Sequence, residues 1–294
     1  MKINIVTVSS GWILQKIAER IKENNKNSNV SINVNHYSTP DADINYYVDL
    51  QNCYSGQKTK CDIAYFTHAH ENSEKWAYDL LNSKNAFNNL KGIVSMNKRY
   101  TDMLIKIGFP KDRLITIVPG ETNNTFPLKK IKIGIVSRGG YEGYGQFFIE
   151  KLFDNYQLNN FEFYFLGNGW ESGIKPIAEK RNIFVKFVPD TDYSIYPAFY
   201  KHIDFLLIPG LWTAGPMSMQ EALSTGVPVI ASDVGFVNYE FMADYVYPPN
   251  DCDKLYNILQ TIQNPILARR QQVENMSWEK YTKDLINFFE VVNK

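Results

Sequence analysis

The chain has 294 residues, 44% of them apolar and 21% charged, enough to fill the cores of two ordinary globular domains. Its 31 basic and 31 acidic side chains cancel. That removes the basic field a nucleic-acid partner needs, while staying compatible with a local basic patch for peripheral contact with a membrane. Three cysteines, Cys53, Cys61 and Cys252, are an odd number without metal-ligand spacing. They argue against a disulfide framework or a metal centre and for a reducing, cytoplasmic setting.

Residues 3–8 are β-branched between polar neighbours and read as a first buried parallel strand, too short for a signal-peptide core. No segment approaches the length of a spanning helix. Ser9, Ser10 and Gly11 make a loop, and residues 12–22 carry Ile13, Ile17 and Ile21 at helical spacing. Residues 30–34 alternate as a second strand. Residues 62–67 form a third, ending at His68-Ala69-His70, and residues 92–95 a fourth. Residues 99–108 read as a helix closed by Gly108, and 114–118 as a fifth strand stopped by Pro119-Gly120. The polar stretch 122–130, with Pro127, is the linker. Strand and helix patterns then alternate again. Strands are expected at 131–136, 161–166, 183–188, 205–208 and 227–231, with a helix at 146–153. Ser277 is a suitable N-cap for a last amphipathic stretch through Leu285, Phe288, Phe289 and Val292. The alternation predicts an α/β chain of two Rossmann-like, doubly wound parallel-sheet domains.

Residues 209–235 carry the strongest functional signal. They read as loop, short helix, turn and buried strand, with Glu221 inside the helix and polar Ser232-Asp233 at the strand end. Ligands of open α/β sheets bind beyond the carboxyl ends of strands, where helix N-termini point at them. The segment therefore suggests a nucleotide or phosphate site with a ribose-binding acid.

Several stretches in order resemble the retaining glycosyltransferases of family 4, which have the two-lobed GT-B fold. Residues 114–120 followed by Phe126-Pro127 resemble the passage into that family's second domain. Gly134-Ile135-Val136-Ser137-Arg138 and Leu166-Gly167-Asn168-Gly169 resemble its strand ends. The stretches 203–209 and 213–222 resemble its acidic motif, and Ser277-Trp278-Glu279 its terminal helix. The resemblance covers the second half well and the first half loosely. It implies an acceptor-side domain over 1–127, a nucleotide-sugar domain over 128–276, and a helix over 277–294 that packs back on the first domain. The two lobes would face a cleft. It further implies metal-free transfer of a hexose to a glycan, glycolipid or protein hydroxyl with retention of configuration. No cofactor is needed beyond the nucleotide-sugar donor.

Carried over residue by residue, the resemblance makes His68, His70, Arg138 and Glu221 the catalytic candidates. The two histidines stand as equal candidates for a cleft position. Donor contacts fall on Ser10, Gly11, Arg138, Gly139, Gly167, Thr213, Ala214, Gly215, Pro216, Met217, Ser218 and Glu221. Glu221 suits a ribose because a carboxylate accepts hydrogen bonds from both hydroxyls of a vicinal diol. Arg138 suits a diphosphate through its planar fork of donors. Two departures stand out. Thr213 occupies the place of the family's first motif glutamate, and no lysine precedes Gly143 or Gly145 to partner Arg138. Lys132 or Lys201 would have to supply that charge. Glu240 is expected to cap or brace a helix. The departures motivate an alternative, a catalytically weakened nucleotide-sugar-binding protein. A nucleotide-sugar epimerase ranks last because the terminal motifs fit transferases better.

Overall fold

The computed structural model describes residues 1–7, 13–48, 50, 62–67, 73–83, 89–120, 126–189, 192–213 and 215–294. They form two compact units, Met1–Phe126 with Gln271–Lys294, and Pro127–Arg270.

In the first unit β1 (Lys2–Val6), β2 (Ser31–Asn35), β3 (Ile44–Tyr47), β4 (Ile63–Phe66), β5 (Gly92–Ser95) and β6 (Leu114–Thr116) form a parallel sheet. Its order is β2-β1-β3-β4-β5-β6. Helices α1 (Ile13–Glu23), α2 (Ser73–Ser83) and α3 (Lys98–Lys106) connect the strands. Helix α1 buries Leu14, Ile17, Ala18 and Ile21. Ile13, expected on that face, is instead 61% exposed at the helix start. Helix α3 is N-capped by Asn97, whose side chain accepts the Tyr100 N–H at 2.9 Å, and it stops where Gly108 takes φ +99°.

Strand β3 is absent from the sequence reading, so the strand expected third is the fourth. Its apolar run is broken by Asn45 and flanked by Asp41 and Asp43, which resembles a loop. The amide is nevertheless fully buried. Its Oδ1 accepts from Asn4 Nδ2 at 2.9 Å and from the Thr39 N–H at 2.8 Å, while the Asn45 backbone N–H donates to Asp62 Oδ2 at 2.9 Å. Saturated hydrogen bonding is what makes such burial tolerable.

Helix α9 (Trp278–Val292) completes this unit. Ser277 Oγ accepts the Lys280 N–H at 3.1 Å, as an N-cap should. Trp278, Tyr281, Leu285 and Phe289 are buried in one core with Ile17 and Ile21 of α1, and the Phe289 ring lies 5.2 Å from that of Tyr46. Just before this helix the chain crosses Gly120 so closely that a Cβ there would lie 2.0 Å from the Met276 carbonyl oxygen.

The second unit holds β7 (Ile131–Val136), β8 (Phe161–Leu166), β9 (Phe184–Val188), β10 (Phe205–Ile208), β11 (Val229–Ser232) and β12 (Tyr245–Tyr247). All pair in parallel, in the order β12-β11-β10-β7-β8-β9. Around them lie α4 (Gln146–Asn155), α5 (Glu171–Arg181), α6 (Tyr196–His202), α7 (Met217–Thr225) and α8 (Cys252–Gln271). Phe148, Phe153, Phe161, Phe163, Phe165 and Trp170 are all buried in its core among isoleucines and leucines. Counted within the unit, this is the doubly wound order in which the chain reverses direction across the sheet between its first and fourth strands, here β7 and β10. Strand β12 was not expected, because only three residues precede Pro248-Pro249. Cys252 is buried and unbridged. Among the described residues, no helix is long and apolar enough to cross a membrane.

Candidate functional site

A cavity of about 540 Å³ opens beyond the carboxyl ends of β7 and β10, within the second unit. This is the topological switch point, and the volume suits a small organic ligand. Its floor is rigidly held. Trp170 Nε1 donates to the Ser137 carbonyl at 2.7 Å, and the Tyr247 hydroxyl donates to the Ile208 carbonyl at 3.1 Å. The Ser232 hydroxyl donates to the Gly210 carbonyl. Both switch-point strands are thus pinned just where they reach the cavity. Gly145 lets the start of α4 approach β10: it sits at φ +83°, and a Cβ there would lie 1.9 Å from the Pro209 carbonyl oxygen.

The cavity gathers most of the expected residues of this unit that are described. Arg138 and Gly167 line it at the ends of β7 and β8. Thr213, Gly215, Pro216, Met217, Ser218 and Glu221 line it from the β10–α7 segment. Gly215 is required there because the Phe236 ring packs on its Cα, where a Cβ would come within 1.9 Å of Cε1. Gly139 does not line the cavity. It is pressed against the neighbouring loop, its N–H donating to the Asn168 carbonyl at 2.8 Å, and a Cβ would meet the Gly169 carbonyl carbon at 2.5 Å. Its smallness serves the floor. Ser10, Gly11, His68, His70 and Ala214 lie outside the described residues.

Glu221, half-buried on α7, has both carboxylate oxygens engaged. Oε1 accepts from the Tyr193 hydroxyl at 2.7 Å and Oε2 from the Tyr200 hydroxyl at 2.6 Å. Burial, reinforced by Glu221, pushes the Tyr200 phenol far above its ordinary range, and the bond to Glu221 raises Tyr193 as well. Both phenols therefore remain donors at neutral pH. The sequence reading missed these tyrosines, although Tyr193, Tyr196 and Tyr200 fall at i, i+3 and i+7, the spacing of one helical face. Tyr193 and Tyr196 also line the cavity, with ring centroids 4.6 Å apart.

Arg138 is exposed at the end of β7. Helices α4 and α7 both begin without a side-chain cap, on Gly145 and Pro216. An uncapped helix start carries positive partial charge and first N–H groups without an intrahelical partner, and of the two only the start of α7 borders the cavity, through Met217 and Ser218. Where a second cation was sought, Tyr144 lines the cavity instead, its ring 5.0 Å from that of Tyr141. Lys132 lies at the amino end of β7, with Nζ 3.4 Å from His202 Nε2, and neither it nor Lys201 lines the cavity. Glu240 lies in an exposed turn between Val237 and Phe241.

The family model for glycosyl transferases group 1 matches residues 121–285. Protein CapJ of Staphylococcus aureus is 25% identical over 152 residues, covering 50% of this chain and 38% of CapJ, so the chain spans little more than a third of that relative. The lipopolysaccharide outer core galactosyltransferase WaaB in its apo form is 14% identical, with 98% of this chain and 99% of that chain covered and a TM-score of 0.39. HepE of Anabaena in complex with UDP-glucose is 12% identical, with coverages of 99% and 98% and a TM-score of 0.40. Sucrose-phosphate synthase of Thermosynechococcus elongatus is 13% identical, with coverages of 99% and 96% and a TM-score of 0.41. With the family match extending over more than half of its length, the chain belongs to the glycosyl transferases group 1 family.

Proposed function

We propose that the protein transfers a hexose from a nucleotide-sugar donor to an acceptor hydroxyl, with retention of configuration and without a metal ion. The observation that carries this reading is the union of Arg138, Glu221 and the uncapped start of α7 around one switch-point cavity. Glu221 offers two acceptor oxygens to a ribose diol. Arg138 and the N-terminus of α7 offer positive charge to a diphosphate. As the glycosidic bond breaks, negative charge grows on the leaving diphosphate. Fixed donors that meet this charge lower the barrier without having to reorganise. Glu221 is the single carboxylate lining the cavity among the described residues. A double-displacement route with an enzyme carboxylate as nucleophile needs a second such group. Front-face substitution, with the leaving diphosphate assisting deprotonation of the acceptor, fits the residues better.

The test is a thermal-shift screen of UDP-, GDP- and ADP-sugars, followed by product analysis with glycan, glycolipid and protein acceptors. An α-linked product from an α-linked donor, formed equally well in chelator, supports the reading. Thr213 in the place of an acid and Tyr144 in the place of a lysine favour a second reading, a nucleotide-sugar-binding protein that turns over weakly. Stabilisation by a donor without product across the acceptor panel selects that one. Absence of binding by every nucleotide sugar refutes both.

A further inference from the structure

The tyrosine pair on Glu221 has a role beyond packing. Tyr200 is buried on α6, and its hydroxyl reaches Glu221 Oε2 at 2.6 Å and the Ser218 carbonyl at 3.3 Å. Tyr193 is 65% exposed in the single turn preceding α6, and its hydroxyl reaches Oε1 at 2.7 Å. The two rings come from one face of the same segment, and the carboxylate comes from α7. A glutamate side chain on its own rotates freely about its last torsion and has no fixed direction in which to present its lone pairs. Two phenol donors, one on each oxygen, remove that freedom. Each oxygen accepts one phenol and keeps further acceptor capacity directed at the cavity.

We propose that Tyr193 and Tyr200 are positioning residues that hold Glu221 as a two-oxygen acceptor for a vicinal diol, and so make the cavity selective for ribonucleotides over 2′-deoxyribonucleotides. The inference rests on the proposed donor site and adds to it the residues that set sugar selectivity. It also ranks the two tyrosines. Water replaces the exposed Tyr193 hydroxyl once it is removed, whereas the enclosed position of the Tyr200 hydroxyl leaves little access for a substitute. The Tyr200 bond therefore contributes more to orientation, although both bonds are charge-assisted.

The experiment measures binding of UDP, GDP and ADP, and of their 2′-deoxy counterparts, to the full chain and to Tyr193→Phe, Tyr200→Phe and Glu221→Ala. A melting curve for each variant confirms that it is folded. For whichever base binds the wild type, Tyr200→Phe is expected to weaken the ribonucleotide about tenfold and Tyr193→Phe about threefold. Affinity for the 2′-deoxy ligand should change by less than about twofold in both, so that ribose selectivity collapses. In the Glu221→Ala background, adding either Tyr→Phe change should do nothing further. A role confined to packing would weaken both ligands equally, and that outcome overturns the inference while leaving the donor site intact. Equal ribonucleotide affinity in wild type and both tyrosine variants overturns it too. A wild type that binds none of the three diphosphates overturns the donor site and the inference with it.

Discussion

Replacing Gly145 by alanine tests whether the approach of α4 to β10 builds the candidate site. Two separate costs follow from the geometry. Gly145 sits at φ +83°, and an L side chain in that left-handed region costs about 1–2 kcal/mol. The added Cβ would also lie 1.9 Å from the Pro209 carbonyl oxygen, against a tolerated approach of about 3 Å. Either the first turn of α4 or the end of β10 must then retreat by about 1 Å. Strain and lost packing together come to about 2–4 kcal/mol. Gly226→Ala separates the two terms. It has φ +74° at the C-terminus of α7 with nothing within 4 Å of the added Cβ, so it should lose only the conformational part. Urea unfolding of both variants, read beside titration with whichever of UDP, GDP and ADP binds the wild type, is the assay. Gly145→Ala should be the less stable by at least about 1 kcal/mol and should bind that ligand about tenfold more weakly, with Gly226→Ala near wild type in affinity. Equal stability and equal affinity in the two variants would refute the claim that this contact shapes the cavity.

Arg138→Ala should weaken inorganic pyrophosphate about tenfold and flatten the salt dependence of its binding; an unchanged salt slope in a titration series would remove Arg138 from the phosphate side. Tyr144→Lys should do the reverse, tightening pyrophosphate at low ionic strength with the gain fading near physiological salt, as seen by calorimetry. Leu285→Ala, at a fully buried position of α9, should cost about 2–5 kcal/mol in a denaturant titration if that helix is part of the first unit's core. Stability should fall as pH rises above about 10, because unfolded tyrosines ionise there while buried Tyr46, Tyr281 and Tyr247 keep their protons; the folded state then binds more protons than the unfolded one. A urea midpoint unchanged between pH 8 and pH 10.5 would contradict that.

Legibility in the sequence followed the physics of each element. Strands β7, β8 and β10 are mostly apolar stretches bounded by glycine, proline or polar loops, and their limits could be read directly. Strand β3 could not be read. Its middle residue is an asparagine whose burial is balanced by partners in distant segments, at Asn4, Thr39 and Asp62. No local pattern records that balance. The candidate site divides in the same way. Arg138 and Glu221 lie in stretches whose composition announces a strand end and a helix start. Tyr193 and Tyr200 were invisible because aromatic residues at helical spacing ordinarily signal a core, and here only one of the two is buried. Gly139 differs in the other direction: its lack of a side chain serves contact between two loops, and a glycine beside an arginine looks the same in sequence whichever task it performs.

The two departures from the family pattern bear on one quantity, the charge of the cavity. A cavity with Arg138 and a lysine would hold a diphosphate on two full cations. This one has Arg138 and the open start of α7. A helix start is worth roughly half an elementary charge, so it offsets only part of a missing cation. The substitution is not equivalent. A lysine carries its charge on a flexible stem that can follow the phosphate, whereas the N–H groups of a helix start are fixed in direction. Fixed dipoles bind more weakly in the ground state but need no reorganisation when charge grows on the leaving group. On the proposed reading Thr213 acts in the same sense, since a neutral residue in place of an acid would spare the cavity a negative charge beside a bound diphosphate. One cation fewer and one carboxylate fewer leave the net charge of the cavity close to that of the family pattern. On the proposed reading the two replacements compensate each other electrostatically, and reverting one alone should weaken pyrophosphate binding or turnover more than reverting both.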